Sequence, residues 1–205
     1  MTSLIFIKLR KILISFLSSL LLTLTINSWF LPFKDRWSAE GAPPELQSAR
    51  VLLLQEHKLT TTALCDDAVE WCARRGWNAV FRPAAVLPSG KASGVVAILA
   101  GLRADIGVTD PLLRAEGWEH RLLALRLAAP GLEPTILVSA YLQAGGGLNH
   151  TNRTLLSTIA QWQEEAQAPL LAGGDFDLRP EQVRSTDFLT RSGLTLLVPR
   201  GATYR

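Results

Sequence analysis

The sequence predicts an α+β fold in a single domain, and three observations carry that prediction. Apolar runs at Arg50–Gln55, Ser93–Leu99 and Pro134–Leu142 have the length of buried strands rather than of helices. Two longer segments, one after Thr60-Thr61-Thr62 and one starting at Thr151 or Asn152, place apolar residues at helical spacing. His120–Ala128 sets Leu122, Ala124 and Arg126 against Leu123, Leu125 and Leu127, the period of a half-exposed antiparallel strand. A chain of 205 residues that is 48% hydrophobic and 19% charged builds a core rather than staying disordered. Its net charge of +3 comes from scattered basic residues, so charge alone points to no polyanionic partner.

The first 37 residues differ from the rest, since they contain neither Ala nor Gly. Lys8, Arg10 and Lys11 precede an apolar run from Ile12 to Ile26, and Trp29-Phe30-Leu31 extends it towards Phe33. A basic flank before such a run fits a signal anchor or a signal peptide, and residues 12–33 are long enough to cross a bilayer. We therefore expect a hydrophobic leader over 1–37, helical from about Ile5, with a membrane as its partner. Localisation is then membrane-anchored or secretory if the leader is genuine, and intracellular otherwise. A leader joined to a domain that did not evolve with it explains the change of composition equally well. Residues 38–49, with Gly41-Ala42-Pro43-Pro44, read as a linker, and 50–205 as the domain.

Arg50–Gln55 reads as a strand buried on both faces, ending in the polar cluster Glu56-His57-Lys58. Thr60-Thr61-Thr62 supplies an N-cap for a helix to Arg75, with Leu64, Ala68, Trp71 and Cys72 as its buried stripe and Gly76 as its stop. Cys65 and Cys72 lie about 10 Å apart along that helix, too far to bridge, so both are expected as small core residues. Trp77–Arg82 is a strand, Pro83–Ala92 a loop, Ser93–Leu99 a strand and Ala104–Val108 a short strand. Pro134–Leu142 is a further strand, Gly145-Gly146-Gly147 breaks the pattern, and Leu155, Leu156, Ile159 and Trp162 mark a helix to about Gln167. Pro180 at a first helical position opens a helix to Arg191, Ser192-Gly193 closes it, and Leu194–Val198 is the last strand.

Ala168–Leu178, A-P-L-L-A-G-G-D-F-D-L, is the stretch around which chemistry is expected. A buried strand ends in two glycines, and Asp175 and Asp177 then project to one side, because residues i and i+2 of an extended chain share a face. Two carboxylates at a strand end suit a hard cation with a phosphate oxygen, or a proton transfer. An Asx-type turn that merely ends the strand is the alternative.

The order of the motifs adds to this. A strand ending in Gln55-Glu56, then a helix, the apolar strand Gly94-Val95-Val96-Ala97-Ile98, then Ser139-Ala140-Tyr141 and Gly174-Asp175-Phe176-Asp177, resembles the endonuclease/exonuclease/phosphatase superfamily. The likeness covers roughly residues 50–205. It implies a DNase I-like four-layer α/β sandwich and a hydrolase of phosphate esters that uses Mg²⁺, with nucleic acid as one admissible partner. No protein partner is indicated. By that resemblance Glu56 holds the metal, Tyr141 bonds to the scissile phosphate and Asp175 orients or deprotonates the attacking water. Asp177 stands where the family has asparagine, and an ionised aspartate has no donor to offer a phosphate. His57, His120 and His150 match no motif and are expected as surface or loop residues.

Two family elements are not found: the N-x-N-G-type motif of the first strand and the C-terminal S-D-H. The fold is therefore expected to be incomplete, without the first strand and the C-terminal strands. The expected function is a Mg²⁺-dependent phosphodiesterase or endonuclease-like domain that is degraded or fragmentary and inactive as the chain stands. A remnant with a structural role or none, and a membrane-anchored phosphatase or lipid phosphodiesterase, are the alternatives.

Overall fold

A computed structural model describes residues 3–8, 51–90, 92–101, 107–109, 113–128 and 133–197. Eleven strands and four helices are described. Strands β1 (Ser3–Lys8), β7 (Gly107–Thr109), β8 (Leu122–Ala128), β9 (Thr135–Tyr141), β10 (Leu170–Asp175) and β11 (Thr195–Leu197) form a sheet in the order β11-β1-β10-β9-β8-β7. Strands β2 (Val51–Gln55), β3 (Trp77–Phe81) and β6 (Val96–Gly101) form a second sheet in the order β2-β6-β3, and β4 (Ala85–Val86) pairs with β5 (Ala92–Ser93) as a small hairpin. The helices are α1 (Thr62–Ala73), α2 (His150–Ala166), α3 (Pro180–Arg184) and α4 (Phe188–Ser192).

Three clusters of buried side chains fix the layers. Alternate residues of a strand face opposite sides, and β8, β9 and β10 divide accordingly. Leu123, Leu125, Leu127, Leu137, Tyr141 and Leu171 meet Val51, Leu53, Val96 and Ile98 between the two sheets. The intervening residues Leu122, Ala124, Ile136, Val138, Leu170 and Ala172 turn outwards onto Leu155, Leu156, Ile159 and Trp162 of α2. On the other flank Leu52, Leu54, Ala97 and Leu99 pack on Cys65, Ala68, Trp71 and Cys72 of α1. The order is helix, sheet, sheet, helix, so the α+β four-layer sandwich expected from the sequence is the architecture observed.

Several local expectations are corrected. The leader was expected to be helical from about Ile5, but Ser3–Lys8 is a strand, antiparallel to β10 with Ser3 opposite Asp175 and flanked on its other side by β11. A strand thus stands in the larger sheet where the sequence left the first strand missing. The apolar run 12–33, the linker 38–49 and the tail 198–205 lie outside the described residues. Among the described residues no helix is long and apolar enough to cross a membrane.

Leu64 is 44% exposed, and the buried stripe of α1 runs through Cys65 instead. Both cysteines are unpaired and buried, as expected of small core residues. Burial, the larger cause, holds their thiols up, at about 11 for Cys65 and about 12 for Cys72. Strand β8 is not half-exposed: only Arg126 and Ala128 reach solvent, because sheet and helices cover both of its faces. Helix α2 starts at His150, one residue earlier than the earlier of the two expected starts, because Asn149 caps it by accepting from the Asn152 amide. The helix expected over Pro180–Arg191 is two short ones. The Ser185 and Thr186 hydroxyls donate to the carbonyls of Gln182 and Val183 and end the first helix.

Candidate active site

Strand periodicity places the first two site residues. Tyr141 follows Leu137 and Ser139 on the inner face of β9, and Asp175 follows Leu171 and Gly173 on the inner face of β10. The two strands are parallel and in register, so Tyr141 is the direct neighbour of Asp175. The backbones can stand this close because residue 174 is glycine. A Cβ added there would lie 1.8 Å from the Ala140 carbonyl oxygen. Beyond the ladder, the Leu142 amide still donates to the Asp175 carbonyl at 2.9 Å, which holds both strand ends.

The facing sheet brings the third group. Strand β2 ends with Gln55 on the inner face, where its amide donates to Ser139 Oγ at 2.9 Å, and Ser139 in turn donates to the Leu54 carbonyl at 3.2 Å. This buried pair ties the end of β2 to the middle of β9. Glu56 follows with φ 60, in the left-handed region. Its carboxylate accepts a hydrogen bond from the Tyr141 hydroxyl. The Lys58 ammonium lies 3.8 Å from the other carboxylate oxygen.

Asp175 is 2% exposed. Burial pushes its carboxyl above the usual carboxylate range, and the charges of Asp177 and Glu56 push the same way, while the Asp177 amide, donating to Asp175 Oδ1 at 3.2 Å, pulls against them. Tyr141 is pushed up too, first by burial and then by its bond to Glu56. Glu56, Tyr141 and Asp175, each singled out in the sequence, are therefore neighbours: Tyr141 bonds to Glu56 across the sheets and lies beside Asp175 in the ladder. Asp177 adopts φ 43, and its Oδ2 accepts from the Gly145 amide at 2.6 Å. It acts there as a clasp on the glycine loop after β9. On its other side that loop is held by Asn152, which accepts from the Gln143 amide and donates to the carbonyls of Gln143 and Gly147.

Further residues around the cleft were missed in the sequence. Arg121 is buried, donates to the Tyr141 carbonyl at 3.3 Å and to Ser93 Oγ at 3.0 Å, and lays its guanidinium 5.4 Å from the centre of the Tyr141 ring. A charge heading the inner-face row Leu123, Leu125 and Leu127 is the signal that could have found it. Lys58 carried the signal of its two-residue spacing from Glu56. His57 was expected at the surface and is instead 2% exposed. Its Nδ1 accepts from the Leu59 amide, and burial, as the main cause, lowers its pKa to about 4. His120 sits beside Gly94 and is lowered by burial first, and then by Arg121. His150 is exposed at the start of α2.

No family model matches the chain, and no curated protein matches it. Among solved structures, it is similar to ANGEL2, described as a 2′,3′-cyclic phosphatase, in complex with adenosine-2′,3′-vanadate. That likeness has 15% identity over 74% of this chain and 44% of the other, with a TM-score of 0.47. ANGEL2 in a second structure gives 16% identity with the same coverage and TM-score. An endonuclease/exonuclease/phosphatase from Beutenbergia cavernae DSM 12333 gives 16% identity over 79% of this chain and 46% of that one, with a TM-score of 0.41. The chain spans less than half the length of each of these structures. In the order of its motifs and in the order of its four layers, this chain resembles the endonuclease/exonuclease/phosphatase superfamily.

Proposed function

We propose that this chain carries a Mg²⁺-assisted phosphoester hydrolase site in which the cation-holding and water-activating groups are present and one donor to the phosphate is lost. The observation that carries the proposal is the hydrogen bond from Tyr141 to Glu56 across the two sheets, with Asp175 beside Tyr141 in the ladder. Among the described residues no group of three or more His, Cys, Asp or Glu forms a metal cluster. Mg²⁺ does not need one, because it is held by one or two carboxylates, with water and substrate phosphate filling its other positions. The donors are all oxygens, and the pKa of Asp175, raised first by burial, is raised further by the carboxylates of Asp177 and Glu56. A divalent cation relieves that crowding, so the residues fit the ion.

Glu56 would hold Mg²⁺, which when bound neutralises phosphate charge. Asp175, with its pKa raised by burial, is suited to orient a water and accept its proton. Tyr141 would donate to a phosphate oxygen once it leaves Glu56. Asp177 accepts from Gly145 and offers no donor. Losing one such donor costs on the order of 10²–10³ in rate, so slow turnover follows from the residues present. The substrate class is a phosphodiester, which nucleic acid and phospholipid both supply.

The test is hydrolysis of bis(p-nitrophenyl) phosphate, abasic-site DNA and a phospholipid by the purified chain, with Mg²⁺ or with chelator. The expected result is slow, Mg²⁺-dependent hydrolysis that disappears in Glu56→Gln and in Asp175→Asn. Hydrolysis that survives both substitutions overturns the assignment. The second reading, a binding remnant without turnover, is favoured by the acceptor at position 177, and Mg²⁺ binding without hydrolysis is its signature.

A further inference from the structure

Strand β2 alternates faithfully up to its end. Val51 and Leu53 face the opposite sheet, while Leu52 and Leu54 face α1. Continued by one residue, that alternation would send Glu56 outwards after Leu54, away from Tyr141 and Asp175. The structure shows the reverse, since Glu56 reaches Tyr141 on the inner side. The residue that occupies the outer side is His57, whose ring stands edge-on to Phe81 at 5.1 Å, beside Leu59 in the α1 cluster. The change of face occurs where Glu56 and Lys58 adopt φ 60 and φ 61. Left-handed residues other than glycine are strained and persist only where the surroundings over-determine them.

The backbone is held at either end of the turn, where the Glu56 amide donates to the Val95 carbonyl at 3.1 Å and the Leu59 carbonyl accepts from the Ala84 amide at 2.8 Å. Between them the restraints are the contacts of His57. Nδ1 accepts from the Leu59 amide at 3.3 Å, so Nε2 carries the hydrogen and faces the Val96 carbonyl at 3.4 Å. With both nitrogens used by backbone groups and the ring packed against Phe81, the imidazole has no lone pair for the cleft. It works as a peg driven into the sheet on the far side of the chain from Glu56. We propose that His57 is a positioning residue: by anchoring the Glu56–Lys58 turn to β3 and β6, it turns the Glu56 carboxylate inwards onto Tyr141.

The consequence for the cation rests on the reading of Glu56 under Proposed function, but the geometric claim does not need a metal to be tested. The chain has two tyrosines, so in a Tyr204→Phe parent the Cζ resonance of labelled tyrosine reports Tyr141 alone. Glu56→Ala marks the position of that resonance without its partner. His57→Phe keeps an aromatic ring against Phe81 and loses both hydrogen bonds, while His57→Asn offers an acceptor for the Leu59 amide. The expected result is that His57→Phe moves the resonance to the Glu56→Ala position and that His57→Asn leaves it near the parent. Calorimetric titration with Mg²⁺ alone should show affinity in His57→Phe reduced about tenfold or more, the scale of losses when support for a ligand is removed.

A role confined to stability would lower the melting temperature and leave the Tyr141 resonance in place. That outcome, in folded His57→Phe, overturns the inference. If His57→Phe does not fold, His57→Ala, which loses the ring and both hydrogen bonds, takes its place: the Glu56→Ala position supports the peg, and a parental resonance in folded His57→Ala refutes it. If instead Mg²⁺ binds the parent and Glu56→Ala equally, only the metal reading fails, and the resonances still decide the role of His57.

Discussion

Gly174→Ala is the substitution whose outcome the geometry determines most directly. A methyl group at this position would lie 1.8 Å from the Ala140 carbonyl oxygen, 2.8 Å from its carbon and 3.0 Å from its nitrogen. All three atoms are backbone, so no side-chain rotation relieves the overlap. Ordinary contact begins near 3.4 Å, which requires β9 and β10 to separate by about 1.6 Å at this point, against a normal strand spacing of about 4.7–4.9 Å. A parallel ladder hydrogen bond does not survive such an opening.

Overpacking with flexible neighbours costs about 1–3 kcal/mol, and a rigid backbone neighbour puts this site at or above the upper end. For a chain of this size each kcal/mol lowers Tm by about 2–4 °C, so the variant should melt on the order of 10 °C below the parent. Because Asp175 and Tyr141 are the next pair in the same register, any residual activity should fall as well. Thermal melts followed by circular dichroism, with the parent alongside, make the test. A Tm within about 2 °C of the parent, below the shift expected from 1 kcal/mol, would refute the close approach of these strands.

Other outcomes follow from individual contacts. Asp177→Asn keeps an oxygen for the Gly145 amide and gains an NH₂ donor, so hydrolysis should rise by up to about 10²-fold. An unchanged rate, measured with Mg²⁺ at saturating substrate, would show that position 177 does not meet the phosphate. Ser139→Ala removes the partner of the Gln55 amide, whose Oε1 already lacks one. It should cost about 1–3 kcal/mol of stability in urea unfolding. The pKa of Asp175 is raised in the folded protein, so its contribution is fully present below the unfolded pKa and is lost as pH rises through the folded one. Asp175→Asn should therefore melt above the parent at pH 7, with the advantage shrinking towards pH 3, and a constant difference across that range would contradict the shift.

How much of this was legible in the chain depends on whether regular periodicity held. It held for Tyr141 and Asp175: both lie in apolar runs of strand length, and counting by two places each on the inner face. It held for the layer order too, since β9 and β10 are apolar at successive positions, as strands covered on both faces must be. It failed at Leu64, where helical spacing allowed either Leu64 or Cys65 to face inwards and the smaller residue took the packed position against the sheet. It also failed over Ser3–Lys8, where a short apolar run before the leader's longer one reads equally as helix or strand, and the backbone pairs with β10.

At Glu56 the motif was legible and the geometry was not. Alternation applied to R-V-L-L-L-Q-E puts the carboxylate on the wrong side of the sheet, and only a left-handed backbone corrects it. No residue there announces that conformation, because Glu and Lys are not the glycine or asparagine that usually mark it. The adjacent histidine was the available clue. An imidazole directly after the glutamate that leads a turn, next to an apolar strand, has hydrogen-bonding capacity on two sides and can secure two backbone segments at once. Regular structure thus carried two of the three groups to the cleft, and the third arrives through a departure from it that the buried imidazole holds in place.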